Sequence, residues 1–276
     1  MKIGIIILIT VISTSLFATE KSNDFSSKSI LYKEEKNLFT EVTNLYYDGK
    51  IEKAILKAEE ILNKGEFSPS LGDLADLYIR LSVKIKRDPI PFLVKIVESK
   101  IDYLVTERVA LAIADYYFKQ GVTRYYSALY FYSWIERNHN KKSLIIDDAL
   151  WSSFLIYKKI KAYNHAIKYL KKIIDTEAYS LYVGSYNQVH LYDAYVEKAE
   201  IEYFKLKDID RSINTLKRFL KNYSDNDRVD DAMFLLCKIG VKIKNKKYQR
   251  SCCSLVKKFP YSSLKDKATP ICETLK

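Results

Sequence analysis

From Ile30 onward apolar residues recur every three or four positions, the spacing of an amphipathic helix rather than the alternation of a strand. Short breaks carrying Gly, Pro, Asn or Asp interrupt the runs, so the pattern predicts helices joined by tight turns. Read in order, the runs fall into pairs. The first is 29–49 with 50–65, where Gly49 supplies the turn and Gly65 the stop. Next come 70–87 with 89–104, opened by Pro89 and Pro91, and then 105–121 with 122–138. The pairs 143–161 with 162–179, 186–207 with 208–223 and 227–245 with 246–259 follow, before a short C-terminal segment, 260–276. Units of roughly 34 to 46 residues give six helical hairpins in series.

The stretch YKKIKAYNHAIKYLKKI, Tyr157 to Ile173, shows how one hairpin is built. Tyr157 ends the first helix, the chain turns around Lys161 and Ala162, and Tyr163, Ala166, Leu170 and Ile173 line the second. The small Ala166 lets the two backbones approach. One hairpin cannot bury its apolar stripe alone, so its neighbours must stack on it.

Composition agrees with this pattern. The chain has 276 residues and 48% hydrophobic content, enough for a sizeable core, and its seven Gly and five Pro are too few for a turn-rich sandwich or barrel. The 23 Tyr mostly stand at helical spacings and read as packing residues. At the N-terminus, Lys2 precedes an uncharged apolar run from Ile3 to Phe17 and the small Ala18, the layout of a secretory signal peptide. That run is shorter than the roughly 20 residues a spanning helix needs. The expected organisation is therefore a signal peptide over 1–18, a flexible polar lead-in over 19–29 and a helical repeat domain over 30–276. Leu16 is large for the third position before a cleavage after Ala18, so retention as an anchor stays open. No Cys follows the apolar run, which leaves no site for lipid attachment.

The net charge of +12 raises nucleic acid as a partner, but export argues against it, and the 34 acidic residues are interspersed with the basic ones. Peripheral contact with anionic lipid headgroups or with acidic envelope polymers is what the charge still allows. Oligomeric state is not legible.

Catalytic signals are sparse. His139, His165 and His190 form no metal-binding spacing, and there is no nucleophile elbow or Gly-rich phosphate loop, so the expectation is a protein that is not an enzyme and takes no cofactor or metal. His165 reads as an exposed helix residue. The acid pairs Asp147–Asp148 and Asp230–Asp231 stand at helix starts, where they complement the dipole.

Cys237, Cys252, Cys253 and Cys272 fall within the last 40 residues, an even set that reads as two disulfides in an oxidising compartment. With a turn near Asn245, Cys237 and Cys253 lie at equal distances from it, and a second turn near Tyr261 brings Cys272 level with Cys252 or Cys253. One of the adjacent pair is expected to bond Cys237 and the other Cys272. A vicinal bond, a soft-metal site and four free thiols are the alternatives, and Pro270 is where the last helix is weakest.

Tyr157, Tyr163, Ala166 and Leu170, with Lys161 where a turn Gly is usual, resemble the tetratricopeptide repeat family. Gly49, Ile51 and Ala54 resemble it too, as do Tyr203, Ile209, Ser212 and Leu216, and Tyr248, Ser251 and Leu255. Between Leu71 and Asn138 the pairs read mainly as helices. The stretches FLKNYSDNDRVDDAMF and LVKKFPYSSLKDKA are similar to inter-repeat junctions of periplasmic adaptors such as the outer-membrane assembly lipoproteins and the Tol-Pal coordinator. The resemblance implies an all-α, right-handed superhelical array that works in the periplasm as a scaffold for another cell-envelope protein or peptide segment. Carried over to this chain, the family's groove implies Asp148, Trp151, Leu155, Lys158 and Lys159 in one unit and Glu197, Ile201, Phe204 and Lys205 in the next. The other reading is a cell-wall or glycan-associated accessory factor that uses the basic, Tyr-rich surface.

Overall fold

Ala166, Tyr169, Leu170 and Ile173 stand at i, i+3, i+4 and i+7, and all four are buried. Ile213, Leu216 and Phe219 repeat that stripe two helices later. The computed structural model describes residues 39–65, 70–99, 102–138, 143, 145–176 and 189–275. The expected signal peptide, the lead-in and His139 lie outside them.

The described residues are all-helical, with no strand, in the manner of an α-solenoid. The helices are α1 (39–47), α2 (Ile51–Lys64), α3 (Leu71–Lys84), α4 (Ile90–Ser99), α5 (Tyr103–Lys119), α6 (Tyr125–Asn138) and α7 (Ile146–Lys159). They continue as α8 (Tyr163–Asp175), α9 (Leu191–Glu200), α10 (Ile209–Asn222), α11 (Val229–Lys242), α12 (Lys246–Lys258) and α13 (Lys265–Glu273). The chain divides into two compact units, Met1–Tyr116 and Tyr117–Lys276. In the first, the hydroxyl of Tyr78 on α3 donates to Glu59 on α2 (3.1 Å), and its ring meets Phe92 on α4 with centroids 5.0 Å apart. In the second, α7 packs on α8, α9 on α10 and α11 on α12, and each hairpin also touches the next. Three apolar clusters fill this unit, around Phe154 and Leu170, around Phe219 and Leu236, and around Cys237 and Leu255.

Four hairpin turns share one backbone device. At the α7–α8 turn the Ala162 N–H donates to the Tyr157 carbonyl (2.9 Å) and the Lys161 N–H to that of Lys158 (3.1 Å), with Lys161 in the left-handed region at φ 60°. The same two bonds close the turns at Gly49 (φ 75°), Lys86 (φ 61°) and Lys244 (φ 56°). The α9–α10 turn is a variant, because a π-helical turn over Ile201–Lys205 extends α9 by one residue. There Lys207 (φ 59°) takes the left-handed position, and the closing bond runs from the Asp208 N–H to the Glu202 carbonyl (2.8 Å).

A side chain in this conformation costs roughly 1 kcal/mol that glycine avoids. Lys161→Gly is therefore expected to raise the unfolding free energy by ~1 kcal/mol, read as a higher urea midpoint at unchanged slope. A lower midpoint would contradict this account of the turn.

In the C-terminal segment, helix α13 runs through Pro270 without breaking. The ring removes only the bond to the Asp266 carbonyl, and Asp266 is exposed to water. Ala268 is fully buried and seats α13 on the Cys237–Leu255 cluster.

Candidate functional site

The first helices of the three C-terminal hairpins, α7, α9 and α11, lie side by side, and side chains bridge each junction. At the start of α7, Asp147 accepts the His190 N–H (3.1 Å), while His190 Nε2 lies 3.3 Å from Asp148. The His190 imidazole stacks flat on the Trp151 indole, with centroids 4.6 Å apart and planes 1° apart. Burial pushes the Asp147 carboxyl above the ordinary carboxylate range, and the His190 N–H pulls it partly back. Further along, the Lys158 ammonium donates to both oxygens of Glu197 on α9 (2.7 and 2.6 Å).

Helix α9 joins α11 in the same way. Arg228 lies 2.8 Å from Asp193 at the start of the two helices. At their ends the Lys238 ammonium stands over the ring of Phe204 (5.2 Å) and that of Lys242 over Tyr203 (5.3 Å). The first-helix layer thus has its starts together and its ends together.

The structure places the nine nominated residues unequally. Asp148, Lys159, Phe204 and Lys205 are exposed, whereas Trp151, Leu155, Lys158 and Glu197 are half-buried in the layer. Ile201 is 3% exposed and packs with Leu150 and Phe154, so it faces the core. Ile201, Glu202 and Tyr203 stand seven residues after Ala194, Tyr195 and Val196, which are buried too, so the helix period itself carries them to the packed face. His165 is exposed, as expected, and its ring stacks on Tyr157 at 5.1 Å.

The pattern did not reveal a second polar feature. Glu202, 1% exposed, accepts from Lys198 (2.6 Å) and from the Thr215 hydroxyl (2.8 Å). Lys198 also donates to Thr215 (2.7 Å), so the buried carboxylate is paired and hydrogen-bonded. Beside it a cleft of about 310 Å³ is lined by Lys171, Asp175, Tyr195, Arg211 and Arg218. Only the K-x-x-x-E spacing of Lys198 and Glu202 was legible beforehand, and it reads equally well as a solvated face.

The four cysteines form two bonds, Cys237–Cys252 between α11 and α12 and Cys253–Cys272 between α12 and α13. Their Cα atoms lie 5.5 and 4.9 Å apart. Two such bonds fit an oxidising compartment. Among the described residues no cluster of three His, Cys, Asp or Glu is placed to hold a metal ion. No helix among them is long and apolar enough to cross a membrane.

No family model and no curated protein matches the chain. Among solved structures it is similar to PilW, described as a widely conserved type IV pilus biogenesis factor, at 14% identity over 83% of this chain and 96% of that one, with a TM-score of 0.45. It is similar to BtubC from P. vanneervenii at 14% identity over 82% of this chain and 90% of that one, with a TM-score of 0.47. A tetratricopeptide repeat protein from Parabacteroides merdae is similar at 13% identity over 87% and 98%, with a TM-score of 0.35.

Proposed function

We propose that the chain is a non-catalytic scaffold, exported to the bacterial periplasm, that holds a segment of another cell-envelope protein along the α7–α9–α11 layer. The observation that carries this reading is the layer itself. Three parallel helices present acidic, basic and aromatic handles that side-chain bridges hold in place, so a partner meets a preorganised surface. Asp148, Trp151, Lys158, Glu197 and Phe204 are the contacts this reading assigns. The two disulfides support an oxidising location, and the resemblance to periplasmic adaptors supplies the class of partner.

Trp151→Ala tests the reading. Capture of an envelope protein by the full chain is expected to weaken by ~2 kcal/mol or more, with little change in melting temperature. Undiminished capture together with a loss of ~3 to 5 kcal/mol of stability would make Trp151 a core residue and remove the layer from the proposal.

A cell-wall or glycan-associated role is the second reading. Tyr126 and Tyr130, 85% and 59% exposed and one helical turn apart on α6, favour it. Tyr78, Tyr125, Tyr132, Tyr169, Tyr195 and Tyr203 are buried between helices and weigh against it.

A further inference from the structure

The four left-handed lysines belong to a recurring tripeptide. Lys84-Ile85-Lys86, Lys159-Ile160-Lys161, Lys205-Leu206-Lys207 and Lys242-Ile243-Lys244 each close the first helix of a hairpin. Helix-dipole complementation accounts for a lysine in the last helical turn. It does not account for the second lysine, which sits beyond the helix end in a conformation that Gly or Asn takes at lower cost, four times over. Strain kept at four of the turns, where Gly49 and Gly121 show that glycine serves at others, points to a side chain that is used.

In the C-terminal unit three of these tips share one edge. Lys205 stands over the Tyr163 ring beside the first tip (5.9 Å), and Lys242 stands over Tyr203 beside the second (5.3 Å). Packed helices lie roughly 8 to 10 Å apart, so adjacent tips fall within about one Debye length at physiological salt. All six lysines are exposed. Around the third tip, the segment from Lys238 to Arg250 adds Lys246 and Lys247 and contains no acid. The acids near this edge are paired or few: Glu197 is held by Lys158, Asp208 pairs with Arg211, and Asp210 follows it.

Between the lysines the first and third tips expose aliphatic side chains, while Leu206 of the second packs on the core. Ile160 and Ile243 are 40% and 37% exposed, and Val241 beside the third tip is 46% exposed. A hydrophilic polyanion has no use for these groups. A lipid surface does, since lysines reach the phosphates while an aliphatic group settles at the acyl boundary. We propose that this edge of hairpin tips is a docking surface for anionic lipid headgroups, with Lys159, Lys161, Lys205, Lys207, Lys242 and Lys244 as the phosphate contacts. This rests on the turns alone and holds whether or not the first-helix layer binds a protein.

The test is co-sedimentation of the full chain with vesicles of phosphatidylglycerol and phosphatidylcholine, compared with phosphatidylcholine alone. The ratio of the two partition coefficients cancels the contribution of the apolar N-terminal run. The combined variant Lys161→Gly, Lys207→Gly and Lys244→Gly relieves the left-handed strain, so it stays folded while losing three charges. At about fivefold per lysine, its ratio is expected to fall about 100-fold. An unchanged ratio would overturn the proposal. A second variant, Ile160→Ser with Ile243→Ser, keeps every charge and is expected to weaken vesicle binding severalfold while leaving binding to soluble polyglutamate untouched. Wild-type vesicle binding by this variant would assign the edge to a soluble polyanion and overturn the lipid reading.

Discussion

Replacing Gly240 by alanine is expected to cost about 3 kcal/mol, at the upper end of what overpacking usually does. A methyl at this position would lie 2.6 Å from the Gln249 backbone nitrogen and 2.8 Å from both the carbonyl carbon and the Cβ of Tyr248. Backbone atoms at the start of α12 cannot yield as a flexible side chain would. The two helices must part, which also strains the Gln249 side-chain bond to the Gly240 carbonyl (3.1 Å) and the Cys237–Cys252 link one turn away. Gly72→Ala is the control, because its methyl would meet only the Arg108 side chain at an ordinary 3.9 Å. That change is expected to be neutral or to stabilise α3 by up to ~1 kcal/mol. Melting curves of the two variants decide it, and an unaltered transition for Gly240→Ala would mean that α11 and α12 do not approach this closely.

Loss of either disulfide should destabilise the end of the array by a similar amount. The bonds close loops with sequence separations of 15 and 19, for which the chain-entropy estimate is ~3 kcal/mol each. Cys237→Ser with Cys252→Ser is expected to lower the melting transition of the oxidised protein. Dithiothreitol should lower the wild-type transition further than that of the variant, which has one bond left to lose. Helix α13 covers the α11–α12 hairpin, and the Cys253–Cys272 bond ties it there. Non-reducing peptide mapping should return Cys237 with Cys252 and Cys253 with Cys272. Four alkylatable thiols, or a peptide joining Cys252 to Cys253, would contradict the connectivity.

The apolar periodicity by itself determined that this chain is helical, where most helices begin and end, and which helices pair. These are local matters: Ala166, Tyr169, Leu170 and Ile173 announce one face of α8 because side chains at i, i+3, i+4 and i+7 must coincide on a 3.6-residue helix. The even cysteine set and its symmetry about two turns were legible for the same reason. The choice within the adjacent pair depends on the rotation of α12, since neighbouring residues point about 100° apart. A hint existed, because Tyr248, Cys252, Leu255 and Phe259 form one apolar stripe, which turns Cys252 toward α11 and leaves Cys253 for α13.

Tertiary structure alone decided the rest. The π turn at the end of α9 adds a residue without any local signature, and the buried Glu202 within it is paired with Lys198 and Thr215 from two helices. Ile201 was assigned to the groove although it stands seven residues after Ala194, on the face of α9 that packs into the Phe154–Leu170 cluster. Pro270 is tolerated because the carbonyl it orphans faces water while Ala268 and Cys272 hold α13 in place, which no window of sequence around a proline can report. The recurring lysines were visible as letters, yet their meaning was not. Charge at a helix end is ordinary until the backbone shows each second lysine held at positive φ, and the packing of α7, α9 and α11 sets three of those ends along one edge.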